Sequence, residues 1–185
     1  MCAAHRFDLG GNGVLRIPYL EKPSMTRAPA TQINVDIADL QASLRVDPED
    51  IVDLVTRTLV YHNFHHAIIS ITLLDDPAIR ALNAAHLGHD YETDVITFPL
   101  SEPGEIPLEA ELLVSAEMAL RTAEQSGVEP MDELALYIVH GLLHLAGEDD
   151  RDEASAASMR RREGEVLARL GRPNPYAAAG RGGRP

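Results

Sequence analysis

One helix and the turn after it decide the fold, and they lie in residues 131–150, MDELALYIVHGLLHLAGEDD. Apolar residues recur there at helical spacing, which predicts a helix over Met131–Ala146 that Gly147 ends. His140 and His144 are four residues apart, so both imidazoles project from the same helix face, one turn apart. The two side chains are therefore close enough to hold one ion.

The turn after this helix carries a candidate third ligand, Asp150. Gly147 can adopt the left-handed backbone that turns the chain back and brings Asp150 toward the histidines. Three protein ligands leave a position for water, and a Zn²⁺ ion would acidify that water toward a usable nucleophile. Asp149 and Glu148 are rival third ligands that the spacing favours less. The pattern H-x-x-x-H-x-x-G-x-x-D predicts a catalytic zinc site.

A zinc peptidase is the first alternative. Such an enzyme carries H-E-x-x-H, in which the glutamate is the general base. Position 141 is glycine in this chain, so Glu148 or Asp149 would have to act as the base. The missing glutamate makes a metalloprotease-like hydrolase the weaker hypothesis.

The rest of the chain predicts a mixed order of strands and helices. Apolar or alternating patterns predict strands at Ile33–Ile37, Ala67–Leu74, Val95–Phe98 and Glu111–Val114. Helices are predicted at about 48–62, 76–85, 116–125, 131–146 and 153–170. A small mixed sheet packed with about five helices is an α+β domain.

Composition sets outer limits on function. The 185 residues are 45% hydrophobic and 24% charged, as in one globular domain. Acidic residues outnumber basic ones by 29 to 16, and a net charge of -13 argues against a protein that coats DNA. The single cysteine, Cys2, excludes an intramolecular disulfide and a zinc ribbon. No apolar run approaches the roughly 20 residues that cross a bilayer, and no secretory signal is recognised.

The chain is expected to divide into three parts. Residues 33–170 are expected to form the folded hydrolase domain. Residues 1–32 and 171–185 are rich in Gly, Pro and Ala and bury too little apolar surface to offset ordering entropy. They are therefore predicted to be a flexible N-terminal extension and a flexible C-terminal tail.

Two stretches resemble one known family. Residues 140–150, HGLLHLAGEDD, are similar to the signature H-G-x-L-H-L-x-G-Y-D-H of the YbeY family of metal-dependent endoribonucleases and ribosomal-RNA maturation factors. Residues 82–99, LNAAHLGHDYETDVITFP, are similar to its upstream signature, L-N-x-x-Y-R-G-x-D-x-P-T-D-V-L-S-F-P. Both occur in the family's order.

The resemblance implies a zincin-like α+β fold, one bound Zn²⁺ and a cytoplasmic location. It also implies cleavage of single-stranded RNA, a ribosomal RNA precursor, during maturation of the small ribosomal subunit. Neither a membrane nor DNA is expected as a partner. We expect His140, His144 and Asp150 to hold the metal, and Thr93 and Asp94 to line the cleft and act in catalysis.

Two positions depart from the family's pattern. Asp150 stands where the family's third ligand is histidine; its oxygen can ligate zinc, but its charge should make the bound water less acidic. Leu87 stands where the family has an arginine that could pair with a phosphate or stabilise developing charge. Leucine can do neither. A second alternative is therefore a catalytically weak ribosome-assembly factor that keeps a structural metal.

Other charged groups are expected to be structural. His62, His65 and His66 lie at the end of the first predicted helix, where a positive ring suits the helix dipole. His86 and His89 flank Leu87 and are expected to be surface residues. The basic run at 160–162 is expected to be a solvated helix face.

Overall fold

The computed structural model describes residues 30–179, and its first two strands follow the patterns of their sequences. β1 (Gln32–Asp39) alternates half-buried with exposed residues, whereas β2 (His66–Leu74) buries most of its residues. The two strands are parallel, with Val35 opposite Ile69. β2 is a central strand with a parallel strand on each side, the setting in which apolar runs are common.

Two more strands complete a mixed sheet. β3 (Val95–Pro99) is antiparallel to β4 (Leu108–Ser115), and β4 is parallel to β2. The strand order is β1-β2-β4-β3. β3 is therefore an edge strand of the sheet, opposite the edge formed by β1.

Six helices lie in the described residues, and capping groups set several of their ends. They are α1 (Pro48–Tyr61), α2 (Asp76–Leu87), α3 (Ala116–Ser126), α4 (Pro130–Leu145), α5 (Glu153–Arg169) and α6 (Pro175–Ala179). Asp47, Asp75 and Ser115 accept hydrogen bonds from backbone N–H groups in the first turns of α1, α2 and α3. Gly88 and Gly127 end α2 and α3 in the left-handed conformation.

The buried centre of the fold is α4. Every residue of this helix from Glu133 to Leu143 is buried, as expected of a helix that is apolar on most of its faces. At Gly141 the helix passes very close to the sheet: a Cβ atom there would lie 2.8 Å from Thr97 Oγ1 and 2.9 Å from Leu112 Cδ2. The missing side chain lets α4 approach β3 and β4 this closely.

Gly141→Ala is expected to destabilise the protein by up to about 2 kcal/mol. The added methyl overpacks the helix–sheet contact at a cost of about 1–3 kcal/mol, and alanine offsets about 1 kcal/mol of this because it is the better helix former. Urea unfolding measures the difference. The control is Gly164→Ala in α5, whose Cβ would meet only the end of the Asn174 side chain, at 2.7 Å from Nδ2. That side chain can move, so the control should be neutral or stabilising; equal losses in both variants would contradict the packing argument.

The predicted α+β domain with a small mixed sheet is confirmed. β4 begins three residues earlier than predicted, because Leu108, Glu109 and Ala110 pair with β2. The helix not predicted is α6, which follows residue 170. Arg172, also beyond residue 170, forms ion pairs with Asp50 and, at 3.8 Å, with Asp132.

The predicted divisions at residues 32 and 170 stay predictions. Residues 1–29 of the expected N-terminal extension and residues 180–185 of the expected C-terminal tail lie outside the described residues. None of the helices in residues 30–179 combines the length and apolar character that crossing a membrane requires.

Candidate metal centre

The two histidines lie at the end of α4 and face each other. Their Nε2 atoms are 3.1 Å apart, and the rings meet edge to face with centroids 4.6 Å apart. His140 is buried, with 7% of its surface exposed, and His144 is half-buried. The four-residue spacing therefore places both rings on one helix face, as the sequence predicts.

Asp150 returns to the histidines after the helix ends. Gly147 has a φ of +91°, a left-handed conformation that glycine adopts without a Cβ penalty. The Asp150 carboxylate then lies 3.6 Å from His140 Nε2 and 3.8 Å from His144 Nε2. One ligand atom from each of the three residues lies within 4.8 Å of the others, so together they could hold a metal ion.

The two rival ligands have other partners. The Glu148 carboxylate pairs with Arg162 at 3.4 Å, and Asp149 pairs with Arg151 at 3.2 Å. Asp149 also accepts a hydrogen bond from the backbone N–H of Asp150, at 2.9 Å. Of the residues that could be the third ligand, the structure brings Asp150 to the two histidines.

Hydrogen bonds at the outer ring nitrogens fix the tautomers. His140 Nδ1 lies 2.6 Å from Glu163 Oε1, and His144 Nδ1 lies 3.1 Å from the backbone oxygen of Glu148. Carboxylate and carbonyl oxygens accept hydrogen bonds, so each Nδ1 carries the proton and donates it. Each Nε2 therefore presents a lone pair to the centre.

This arrangement is electron-rich and suits a cation. Two Nε2 lone pairs 3.1 Å apart, with a carboxylate beside them, repel one another unless a positive charge lies between them. Imidazole nitrogen and carboxylate oxygen are both zinc ligands, and the same donors suit other divalent transition metals. The residues therefore fit a metal ion, and three protein ligands leave coordination positions open for water or substrate.

Sequence reasoning missed Glu163, the hydrogen-bond partner of His140. This carboxylate lies on α5 and is 1% exposed. Its spacing could have revealed it, because Glu163 lies at helical spacing from Met159 and Val166 and shares the buried face of α5 with them. A carboxylate on an apolar stripe needs a buried partner, because burying an unpaired charge is very costly.

Tyr176 of α6 also lies near the Glu163 carboxylate. Burial, then the negative charge of Glu163, raises the pKa of the Tyr176 phenol well above its ordinary value. The segment after residue 170 therefore helps to enclose the group that orients His140.

Thr93 and Asp94 lie immediately before β3 and contact each other. The Thr93 hydroxyl donates to Asp94 Oδ1 at 2.9 Å, and the Asp94 carbonyl accepts from the Ser115 N–H at 2.8 Å. The cavity beside the histidines is instead lined by later residues of the strand, Val95 to Thr97 and Pro99. A catalytic role for Thr93 and Asp94 stays a prediction.

Leu87 lines the same cavity, which has a volume of about 230 Å³. The side chain is 51% exposed and stands in the wall beside His140 and His144. The flanking rings are engaged elsewhere, since His86 packs edge to face on Phe98 and His89 stacks on Tyr91. Among the described residues that line this cavity, none is lysine or arginine.

His62 caps the end of α1, and its surroundings predict a pH-dependent contribution to stability. Burial, then the charge of Arg162, lowers the pKa of the His62 ring. The unfolded chain therefore binds this proton first as the pH falls. The contribution of His62 to stability is complete above the unfolded pKa of about 6.5 and declines below it.

We expect the urea midpoint to fall less between about pH 7.5 and 5.5 in His62→Gln than in the unsubstituted chain. His89→Gln, at an exposed position, is the control, and identical pH profiles for both variants would contradict the assignment.

The comparisons with known proteins match the part of the chain that contains these residues. The family model described as Endoribonuclease YbeY matches residues 36–171, which include all three candidate ligands. The protein named Endoribonuclease YbeY from Carboxydothermus hydrogenoformans is 31% identical over 139 residues, 74% of this chain and 96% of the relative. The one from Halorhodospira halophila is 38% identical over 113 residues, 58% of this chain and 73% of the relative.

Other matches are more partial. The Endoribonuclease YbeY of Anaeromyxobacter sp. is 46% identical over 101 residues, and the match spans about half of each protein, 54% of this chain and 53% of the relative. The solution structure of TM1509 from Thermotoga maritima superposes with a TM-score of 0.50 at 22% identity, over 75% of this chain and 91% of the other. That structure supports the fold.

Proposed function

This chain belongs to the YbeY endoribonuclease family, and from that premise we propose that it is a zinc-dependent endoribonuclease specific for single-stranded RNA. Relatives named endoribonucleases are hydrolases that act on RNA phosphodiester bonds. The proposed substrate is a ribosomal RNA precursor, the proposed partner is the small ribosomal subunit, and the proposed location is the cytoplasm. The observation that carries the proposal is the convergence of His140, His144 and Asp150.

Each residue of the centre has a proposed role. His140, His144 and Asp150 would hold one zinc ion, which when bound supplies Lewis acidity and lowers the pKa of the attacking water. Glu163 and the Glu148 carbonyl hold the rings so that both Nε2 lone pairs point inward. The Asp150 carboxylate leaves the centre one positive charge lower than three imidazoles would.

Thr93 and Asp94 are the proposed catalytic residues, and they precede the strand that lines the cavity of the metal centre. The Thr93 hydroxyl holds the Asp94 carboxylate at the start of β3, the strand whose later residues line the cavity. We propose that the Asp94 carboxylate acts as a general acid or base on RNA or water that reaches it from the cavity.

The packing of α4 disfavours the metalloprotease alternative. A peptidase of this type needs glutamate at position 141, but a Cβ there would lie 2.8 Å from Thr97 Oγ1. The substitute bases, Glu148 and Asp149, are paired with arginines. In the described part of the chain, position 141 therefore offers no general base, and the two substitute carboxylates are engaged in ion pairs.

Chelation tests the proposal. The full chain, loaded with zinc or treated with EDTA, is incubated with single-stranded RNA, double-stranded RNA, single-stranded DNA and casein. We expect the zinc-loaded chain to cleave single-stranded RNA alone, and EDTA to abolish this cleavage until zinc is restored. Cleavage of casein with the RNA left intact, or RNA cleavage that survives EDTA, would contradict the proposal.

Leu87 favours a second candidate, a ribosome-assembly factor with a structural metal. Its side chain stands in the cavity wall where the family's arginine would supply a cation. If the zinc-loaded chain leaves RNA intact but sediments with small ribosomal subunits, this candidate replaces the first. If the unsubstituted chain does cleave RNA, Leu87→Arg should raise cleavage by about tenfold or more, because it restores a cation beside the histidines. The control is Leu40→Arg, which adds the same charge at an exposed position after β1, the opposite edge strand.

A further inference from the structure

A second cavity opens beside the metal centre, and the proposed function does not use it. Its volume is about 980 Å³, at the upper end of the roughly 300–1,000 Å³ typical of ligand sites. We call it the loop cavity: residues 101–106, between β3 and β4, form one wall, and residues 63–66 form another. Pro99, His144 and Leu145 line both this cavity and the smaller one that contains His140. The two cavities therefore form one continuous surface that passes the candidate metal ligands.

The loop cavity suits a nucleobase better than a phosphate. Phe64, His65 and His66 are among its lining residues, and Ile106, 78% exposed, adds apolar surface. Its charged lining, among the described residues apart from histidine, consists of Glu102 and Glu105. Carboxylates repel phosphate but accept hydrogen bonds from amino groups on base edges, and unstacked bases of single-stranded RNA pack on aromatic side chains.

The loop that carries the carboxylates is tied to the sheet. The backbone N–H groups of Leu100 and Ser101 donate to the Glu109 carbonyl, and the Glu109 N–H donates to Ser101 Oγ at 3.0 Å. Glu105 Oε2 accepts from the Glu102 N–H at 2.9 Å, which holds that carboxylate against the loop. Each carboxylate offers about four lone pairs, so acceptor capacity remains for a base.

We propose that the loop cavity binds one unstacked base of the RNA strand beside the cleaved bond, and that Glu102 and Glu105 select bases with an edge amino group. The inference rests on the proposed function, because continuity with the metal centre makes the occupant part of the same strand. Cytosine and uracil are the sharpest pair, since they are equal in size but cytosine carries an amino group where uracil has a carbonyl oxygen. A carboxylate accepts a hydrogen bond from the cytosine amino group and repels the uracil carbonyl oxygen.

Binding of short RNAs tests the inference. Fluorescence anisotropy measures the affinity of the full chain, kept metal-free so that cleavage does not interfere, for labelled oligocytidine and oligouridine. We expect oligocytidine to bind about tenfold more tightly. In the double variant Glu102→Gln/Glu105→Gln this ratio should fall to near one, because an amide donates as well as accepts. Glu124→Gln/Glu129→Gln, at two exposed positions, removes the same charge and should keep the ratio.

Three results would overturn the inference: equal affinity for the two RNAs, a preference that survives in the Glu102→Gln/Glu105→Gln variant, or no binding of either RNA. The cleavage assay of the zinc-loaded chain is read separately. If the chain cleaves RNA but binds both RNAs equally, the base-binding inference is wrong and the proposed function stands. If the chain prefers oligocytidine but does not cleave RNA, the proposed activity is wrong and the base-binding inference stands.

Discussion

Zinc and RNA cleavage are expected to disappear together when His144 is replaced by alanine. The His144 ring supplies one of the two Nε2 lone pairs that face each other at 3.1 Å, so His144→Ala leaves His140 and Asp150 as ligands. Loss of an outer-shell partner alone weakens metal binding about 10–100-fold, so loss of a ligand should exceed about 100-fold. Metal analysis after dialysis should find about one zinc ion per unsubstituted chain and almost none in the variant.

The control for this experiment is His89→Ala. His89 stacks on Tyr91 in the loop after α2, so its removal takes away an imidazole without touching the centre. Thermal unfolding of the metal-free proteins should show that both variants are folded. If His144→Ala retains as much zinc as His89→Ala, the ligand assignment is wrong whatever happens to RNA cleavage.

Local chemistry made most elements of this fold predictable. Asp47, Asp75 and Ser115 begin helices because their side chains satisfy free backbone N–H groups, a property of a few adjacent residues. The strand order was not predictable in this way, because the place of β2 between β1 and β4 depends on contacts between distant parts of the chain. The short helix α6 was missed because its five residues, PYAAA, are too few to show a helical period.

The candidate ligands could be predicted from local sequence, whereas their surroundings depend on contacts between distant parts of the chain. His140, His144 and Asp150 lie within one helix end and its turn, so spacing alone brought them together. Glu163 is 23 residues from His140, and their 2.6 Å contact depends on how α5 packs against α4. Leu87 lies at the end of α2. Only the folded structure shows that this position, where the family has an arginine, lines the cavity beside the histidines.

Glu163→Gln is expected to weaken zinc binding by about 10–100-fold while leaving the fold nearly intact. The glutamine keeps the shape of the side chain in its buried position but removes the negative charge that holds the His140 Nδ1 proton and raises the basicity of the ring. Competition with a chromophoric chelator measures the zinc affinity. We expect RNA cleavage at saturating zinc to fall much less than the affinity, because Glu163 is a positioning residue.

The control is Glu165→Gln, two residues further along α5, where a half-exposed carboxylate pairs with Arg161 and Arg162. It removes the same charge from the same helix, so it should leave zinc affinity unchanged. A purely structural role for Glu163 would lower the urea midpoint of the metal-free protein and spare zinc affinity, whereas a positioning role lowers zinc affinity in a chain that remains folded. Equal zinc affinities in the two variants would show that the hydrogen bond to His140 does not tune the metal centre.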